Sequence, residues 1–204
     1  MHIFCRALRV KPKFWILAIG LFVVAFSFGR LVAPSYVKYL RAHPEARSPL
    51  RRGFPPGYPG YAPPSGDSLV AARRASFDRF EEFSLHNIEG AGISLAGGAI
   101  VFFLPCVTIA INGMGLGVTS YIDGWQMFFQ RMMPHSLLEY PVLLFVNAAG
   151  TQIGWTIFQS VRDRNRQVVG DQLRVLAAVW LLASLLLIVA AFMETYIKFF
   201  FFHH

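Results

Sequence analysis

The sequence predicts an all-α protein, a polytopic transmembrane helical bundle of about five spans. Of its 204 residues, 55% are hydrophobic and only 15% are charged, against roughly 25% charged residues in soluble domains. The mean hydropathy is +0.47. Several apolar runs are each about 20 residues long, which is the length that crosses a hydrocarbon core roughly 30 Å thick. These observations argue against a water-soluble domain.

The net charge of +8 comes largely from basic residues that flank apolar runs. Examples are Arg6, Arg9, Lys11, Lys13, Arg162, Arg164 and Arg166. Basic residues in that position are typical of membrane topology and lipid headgroup contact. We therefore expect the lipid bilayer as a partner and no nucleic acid.

The first apolar run, from Phe14 to Ala33, follows a basic tail. It is longer than the apolar region of a cleaved signal peptide, so it predicts a retained spanning helix. Residues 34–68 form a proline-rich loop, in which proline removes backbone donors and fixes φ. This segment predicts a solvated tether, with a partner-binding segment as the alternative.

Residues 69–198 predict an amphipathic helix followed by a transmembrane bundle, and 199–204 a C-terminal tail. Between Leu69 and Ile88, apolar residues recur at helical spacing on one face. They are Leu69, Val70, Phe77, Phe80, Phe83 and Ile88. The helix either lies in the membrane interface or packs this face against the bundle.

Three further segments are long enough to span the membrane: Ala91 to Ile111, Leu137 to Phe158, and Leu173 to Ile197. The interval 115–133 is apolar but holds Asp123 and Arg131 and is interrupted by Gly124. Basic segments favour the cytoplasmic side of the membrane. With the N-terminus in the cytoplasm, the basic stretch 162–174 returns to that side only if the interval 115–133 crosses the bilayer. Five crossings are favoured, and four plus a re-entrant or interfacial segment is the alternative.

The segment from Pro134 to Glu139 is the most informative local feature. Proline suits a first helical turn, and His135 and Glu139 then lie one above the other at i and i+4. Ionisable groups near a membrane usually face protein or water and have partners. The pair predicts either a hydrogen bond that fixes helix position or a site for proton or substrate handling.

Other polar residues lie in apolar surroundings, namely Asn112, Asn147 and Glu194. We expect interhelical hydrogen bonds for them, with Asn112-Gly113 as a helix end or turn. Small residues repeat at four-residue spacing: Gly113 and Gly117, Gly150 and Gly154, Gly92 and Ala96. Such pairs allow close helix packing, within the chain or in an oligomer.

The sequence contains no His-Glu-x-x-His helix, no Gly-x-Ser-x-Gly elbow and no phosphate-binding loop. Neither Cys5 nor Cys106 is placed for a structural disulfide. We therefore expect no catalytic residue, no metal, no cofactor and no enzymatic activity.

Several of these features occur together in a fixed order. They are His86-Asn87, Asn112-Gly113 with Gly117, Pro134-His135 with Glu139, Ala148-Ala149-Gly150, and Ala190-Ala191-Phe192-Met193-Glu194. In that order they resemble the stage II sporulation protein M family, over residues 70–198. Ser136 stands where that family usually has glycine.

The resemblance implies a multi-pass protein of the bacterial cytoplasmic (inner) membrane. It further implies a scaffold or recruitment subunit for cell-wall hydrolases or other envelope proteins. The alternative is a permease-like subunit of a transporter that works with a separate ATPase.

Overall fold

The computed structural model describes residues 9–43, 68–132, 136–193 and 195, and all regular structure within them is α-helical. The helices are α1 (Pro12–Ala42), α2 (Ser68–Ile100), α3 (Leu104–Met132), α4 (Ser136–Arg162) and α5 (Arg166–Phe192). The all-α bundle predicted from the sequence is confirmed.

Four of these helices, α1, α3, α4 and α5, are long and apolar enough to cross a membrane. Large apolar side chains also cover their outer faces, as at Leu31 and Leu185, which are 76% and 63% exposed. Lipid solvates such a surface, because each helix satisfies its own backbone hydrogen bonds. The fold is that of a multi-pass membrane protein.

The contacts between helices give their relative directions. A Cβ built on Gly113 would lie 2.7 Å from the carbonyl oxygen of Phe22, and one on Gly117 would meet that of Phe26. Residue numbers therefore rise together along α1 and α3, and these helices are parallel. We call the end where α1 and α3 begin the proximal end, and the opposite end the distal end.

The helices α2 and α4 run the other way, from distal to proximal. The Ser94 hydroxyl of α2 bonds Asn147 of α4, and Gly98 lies against Gly150 and Gly154. Residue numbers again rise together, so α2 and α4 are parallel. Thus α1 and α3 run towards the distal end, and α2, which lies between them in the sequence, runs back to the proximal end. The last helix, α5, runs towards the distal end again.

The core is built around α4, which packs against all four other helices. Its main cluster joins α2, α4 and α5 and consists of Ala91, Leu95, Val142, Val146, Ala149, Ile153, Ala178, Val179, Ala183 and Leu187. A smaller cluster of Phe14, Ala18 and Ala148 joins α1 to α4. Six of these thirteen residues are alanine, and small side chains permit the close helix approach that drives association in lipid.

The first helix is longer than the sequence predicted. We expected it to end at Ala33 before Pro34, but α1 continues through Pro34 to Ala42. Membrane helices tolerate an internal proline, because neighbouring groups and local adjustment satisfy the freed carbonyl. Residues 44–67, which hold most of the proline-rich segment, lie outside the described residues.

The predicted span Ala91 to Ile111 is wrong, because the chain turns at residues 101–103. The first half of the predicted span belongs to α2. This helix also includes the predicted helix 69–88, and its Ile88 packs against the main core cluster. The side chains of Phe77 and Phe83 lie outside the described residues. The turn consists of apolar residues, and the centroid of the Phe102 ring lies 5.5 Å from that of the Trp155 ring. Hydropathy therefore did not distinguish the turn from a membrane span.

The second half of that predicted span is joined to the interval 115–133 in α3. Asn112 and Gly113 therefore lie inside a helix, and the helix end or turn predicted there is wrong. Gly113 is needed for close packing against α1 and not for a turn. At Gly124 the backbone leaves helical geometry with φ 72°, as the sequence indicated, and the apolar part of α3 extends from Leu104 to Phe129.

The basic segments meet at the proximal end. The backbone N–H of Lys11 donates to Gln152 Oε1 at 2.7 Å, and Gln152 Nε2 donates to the Arg9 carbonyl at 3.3 Å. A turn at 163–165 joins α4 to α5 beyond this point, where Asn165 caps α5 by accepting from the Val168 N–H. Residues 9–11 and the start of the stretch 162–174 thus lie at the same end of the bundle, as the topology predicted from the charge pattern requires.

Candidate functional site

A groove of about 380 Å³ lies between α3 and α4 and brings two predicted residues together. Asn112 and Thr119 line it from one face of α3, and Glu139 and Tyr140 line it from the first turn of α4. The walls are Ile111, Gly115, Leu116 and Leu143. The groove therefore presents a carboxyl group and an amide in apolar surroundings.

Hydrogen bonds within the chain already occupy part of this polar surface. Thr119 Oγ1 donates to the Gly115 carbonyl at 3.0 Å, and Glu139 and Tyr140 each make an interaction within the chain. Pro134 and His135 lie outside the described residues, so the predicted pairing of His135 with Glu139 stays a prediction. The arrangement suits a ligand that is mainly apolar with one hydrogen-bonding group.

Asn147 lies about two turns further along α4 than Glu139, at the contact with α2. Ser94 Oγ donates to Asn147 Oδ1 at 3.0 Å, and Asn147 Nδ2 donates to the Leu143 carbonyl at 2.7 Å. Both side chains are almost fully buried. Thr151 continues the polar line by donating to the Asn147 carbonyl at 2.8 Å. The interhelical hydrogen bond predicted for Asn147 is present.

Replacing Asn147 by leucine, which has nearly the same shape, should lower the free energy of unfolding by about 1 kcal/mol. This is the size of interhelical hydrogen bonds in membrane proteins, and the Ser94 hydroxyl would lose its partner. Unfolding by steric trapping in bicelles would measure the change. The exposed Asn112→Ala is the matched control, and an equal loss in that variant would contradict the assignment.

A charged site that the sequence analysis missed lies between α1 and α3. Arg30 Nη1 donates to the Ser120 carbonyl at 3.2 Å and to Ser120 Oγ at 3.1 Å. The guanidinium carbon lies 4.2 Å from the centroid of the Trp125 ring, within cation–π range. Ser120 can accept because its own proton goes to the Gly117 carbonyl. The position of Arg30 inside the apolar run from Phe14 to Ala33 was the sequence signal that could have revealed this site.

The predicted polar residues do not converge on one cavity in the described part of the chain. Asn112 and Glu139 share the groove, whereas Asn147 lies outside its lining and bonds Ser94 of α2. Asn87 is half-buried in α2, and Gly113 packs against α1. Glu194 lies outside the described residues.

The long apolar helices and the buried polar contacts between them define a helical-bundle integral membrane protein. The family model for stage II sporulation protein M matches residues 16–197. The chain belongs to this family, and the match begins in α1, well before the 70–198 expected from the sequence motifs. Comparison with curated proteins and with solved structures gave no match.

Proposed function

We propose that this chain is a non-enzymatic scaffold or recruitment subunit of the bacterial cytoplasmic membrane, with its N-terminus in the cytoplasm. Its partners would be cell-wall hydrolases or other envelope proteins, and it would bind no nucleic acid. The observation that supports this proposal most is that polar groups in the apolar helices form hydrogen bonds between helices. Asn147 and Ser120 bond neighbouring helices, so they hold the bundle together instead of lining a shared path.

Small residues support the same interpretation. A Cβ on Gly98 would lie 2.7 Å from the Gly150 carbonyl oxygen, so these helices are in backbone contact. Such packing favours a single rigid arrangement over the large helix movements of alternating access. An oligomer formed through small-residue faces would use positions that the described residues leave open, such as Gly20.

The second candidate is a permease-like subunit that works with a separate ATPase. The groove favours it, because Asn112 and Glu139 are polar groups at membrane depth beside open space. A transport pathway would require this groove to extend along α3 and α4. An ATPase would bind at the cytoplasmic end of the bundle, whereas cell-wall hydrolases would bind at the opposite end.

Photo-crosslinking from the two ends of α4 separates these functions. Leu137 at the distal end and Val161 at the proximal end are 65% and 64% exposed, so they form a matched pair of probe positions. A scaffold should give adducts with envelope proteins from position 137. An ATPase captured from position 161 would favour the transporter, and adducts with lipid alone at both positions would overturn both proposals.

A further inference from the structure

Arg30 lies near the distal end of the apolar run in α1. It is about 24 Å along the helix axis from Phe14, where that run begins, and thus within about 6 Å of the far boundary of a hydrocarbon core roughly 30 Å thick. The Phe22 ring lies 6.1 Å from that of Tyr140 in the first turns of α4. Arg30 is about 12 Å beyond Phe22 towards the distal end, whereas α4 begins only about 6 Å beyond Tyr140 in that direction, so Arg30 lies about one helical turn distal to the start of α4.

The guanidinium has only neutral partners among the described residues. Both hydrogen bonds to Ser120 come from Nη1, and Trp125 contributes its ring face. The described ion pairs are those of Arg162 with Asp163 and Arg174 with Asp171, both distant from Arg30. Within the described chain, Nε and Nη2 are left without an acceptor.

The surroundings of this site face lipid. Phe28 and Leu31 beside Arg30 in α1 are 54% and 76% exposed, and Trp125 and Phe129 in α3 are 46% and 56% exposed. Tryptophan is enriched at the depth of lipid headgroups. The positive charge is therefore held in an apolar, lipid-facing wall near the distal headgroup region.

We propose that Arg30 binds the phosphate of an anionic phospholipid at the distal membrane boundary. Nε and Nη2 form one edge of the guanidinium and can donate two parallel hydrogen bonds to phosphate oxygens. Ser120 and Trp125 hold the side chain in place, so little rotamer freedom is lost on binding. The lipid supplies the anionic partner that none of the described ion pairs gives to Arg30.

Native mass spectrometry of the full chain in mild detergent tests this site with phosphatidylglycerol as the anionic lipid and phosphatidylcholine as the zwitterionic one. Arg30→Gln should bind phosphatidylglycerol roughly fivefold more weakly, the contribution expected of one basic residue near an anionic membrane. Phosphatidylcholine binding should not change. Arg162→Gln is the comparison variant, since it removes one charge from an exposed position at the proximal end, and it should weaken phosphatidylglycerol binding clearly less than Arg30→Gln does.

Two further variants keep the result interpretable if Arg30→Gln does not fold. Arg30→Lys keeps the charge but loses the two-donor edge, and Trp125→Leu keeps the arginine but removes its ring support. Both should bind phosphatidylglycerol with intermediate affinity. Unchanged binding in every variant of this site would overturn the proposal, and so would binding of inorganic phosphate that displaces the lipid, which would indicate a soluble anion.

Discussion

Replacing Gly154 by leucine should separate α2 from α4 and prevent stable folding of the bundle. A Cβ at this position would overlap the carbonyl oxygen of Gly98 and lie 2.9 Å from the Cα of Phe102. These are backbone atoms, so no side-chain rotation can relieve the overlap. We expect a loss beyond the roughly 1 to 3 kcal/mol typical of core overpacking.

Gly170→Leu in α5 is the matched control, because a Cβ there meets no atom of the described residues within 4 Å. Leucine favours helix over glycine by up to about 1 kcal/mol, so the control should be neutral or slightly stabilising. Thermal unfolding followed by size-exclusion chromatography in detergent compares the two variants. Equal melting temperatures would show that α2 and α4 do not touch at Gly154 in the membrane.

Gly117→Leu should release α1 from α3. A Cβ on Gly117 would overlap the carbonyl oxygen of Phe26 and lie 2.8 Å from the backbone nitrogen of Arg30. Moving α3 away would also break the hydrogen bonds between Arg30 and Ser120. We therefore expect a combined loss of several kcal/mol, from overpacking and from a charged hydrogen bond.

The release can be measured with a protease site inserted between Ala42 and Ser68. After cleavage in mild detergent, the fragment containing α1 should remain bound to the rest of the wild-type chain and dissociate from the Gly117→Leu variant. Gly115→Leu, two positions away in the same helix, should retain the fragment, because a Cβ built there meets no described atom within 4 Å. Retention in both variants would contradict the close contact of α1 with α3.

The sequence predicted the helical class and most of the membrane segments, because hydropathy over about 20 residues reports burial in lipid directly. It did not predict the boundary between α2 and α3. Val101 and Phe103 are apolar and partly exposed, so they resemble residues of a span. The one local signal was Pro105, which favours the first turn of a helix and lies next to Leu104, where α3 begins.

The sequence identified polar and small residues that make contacts between helices, but it did not identify the residues that they contact. Gly113 and Gly117 were expected at close helix contacts, but their packing against α1 depends on which helices are neighbours. Ser120 is 90 positions from Arg30 in the chain, and no local pattern joins the two. Likewise, Asn112 and Glu139 share a groove only because α3 and α4 are antiparallel and adjacent.

The composition of α2 has a consequence for how the chain is made. Unlike the other four helices, α2 is not among those apolar enough to cross a membrane by length and composition, and its buried face contacts α4 and α5. A growing chain leaves the ribosome N-terminus first, so α2 is synthesised before the helices that cover it. Stable placement of α2 must therefore wait until α5 has been translated, and a chain truncated after α3 should be recognised and degraded by quality-control proteases.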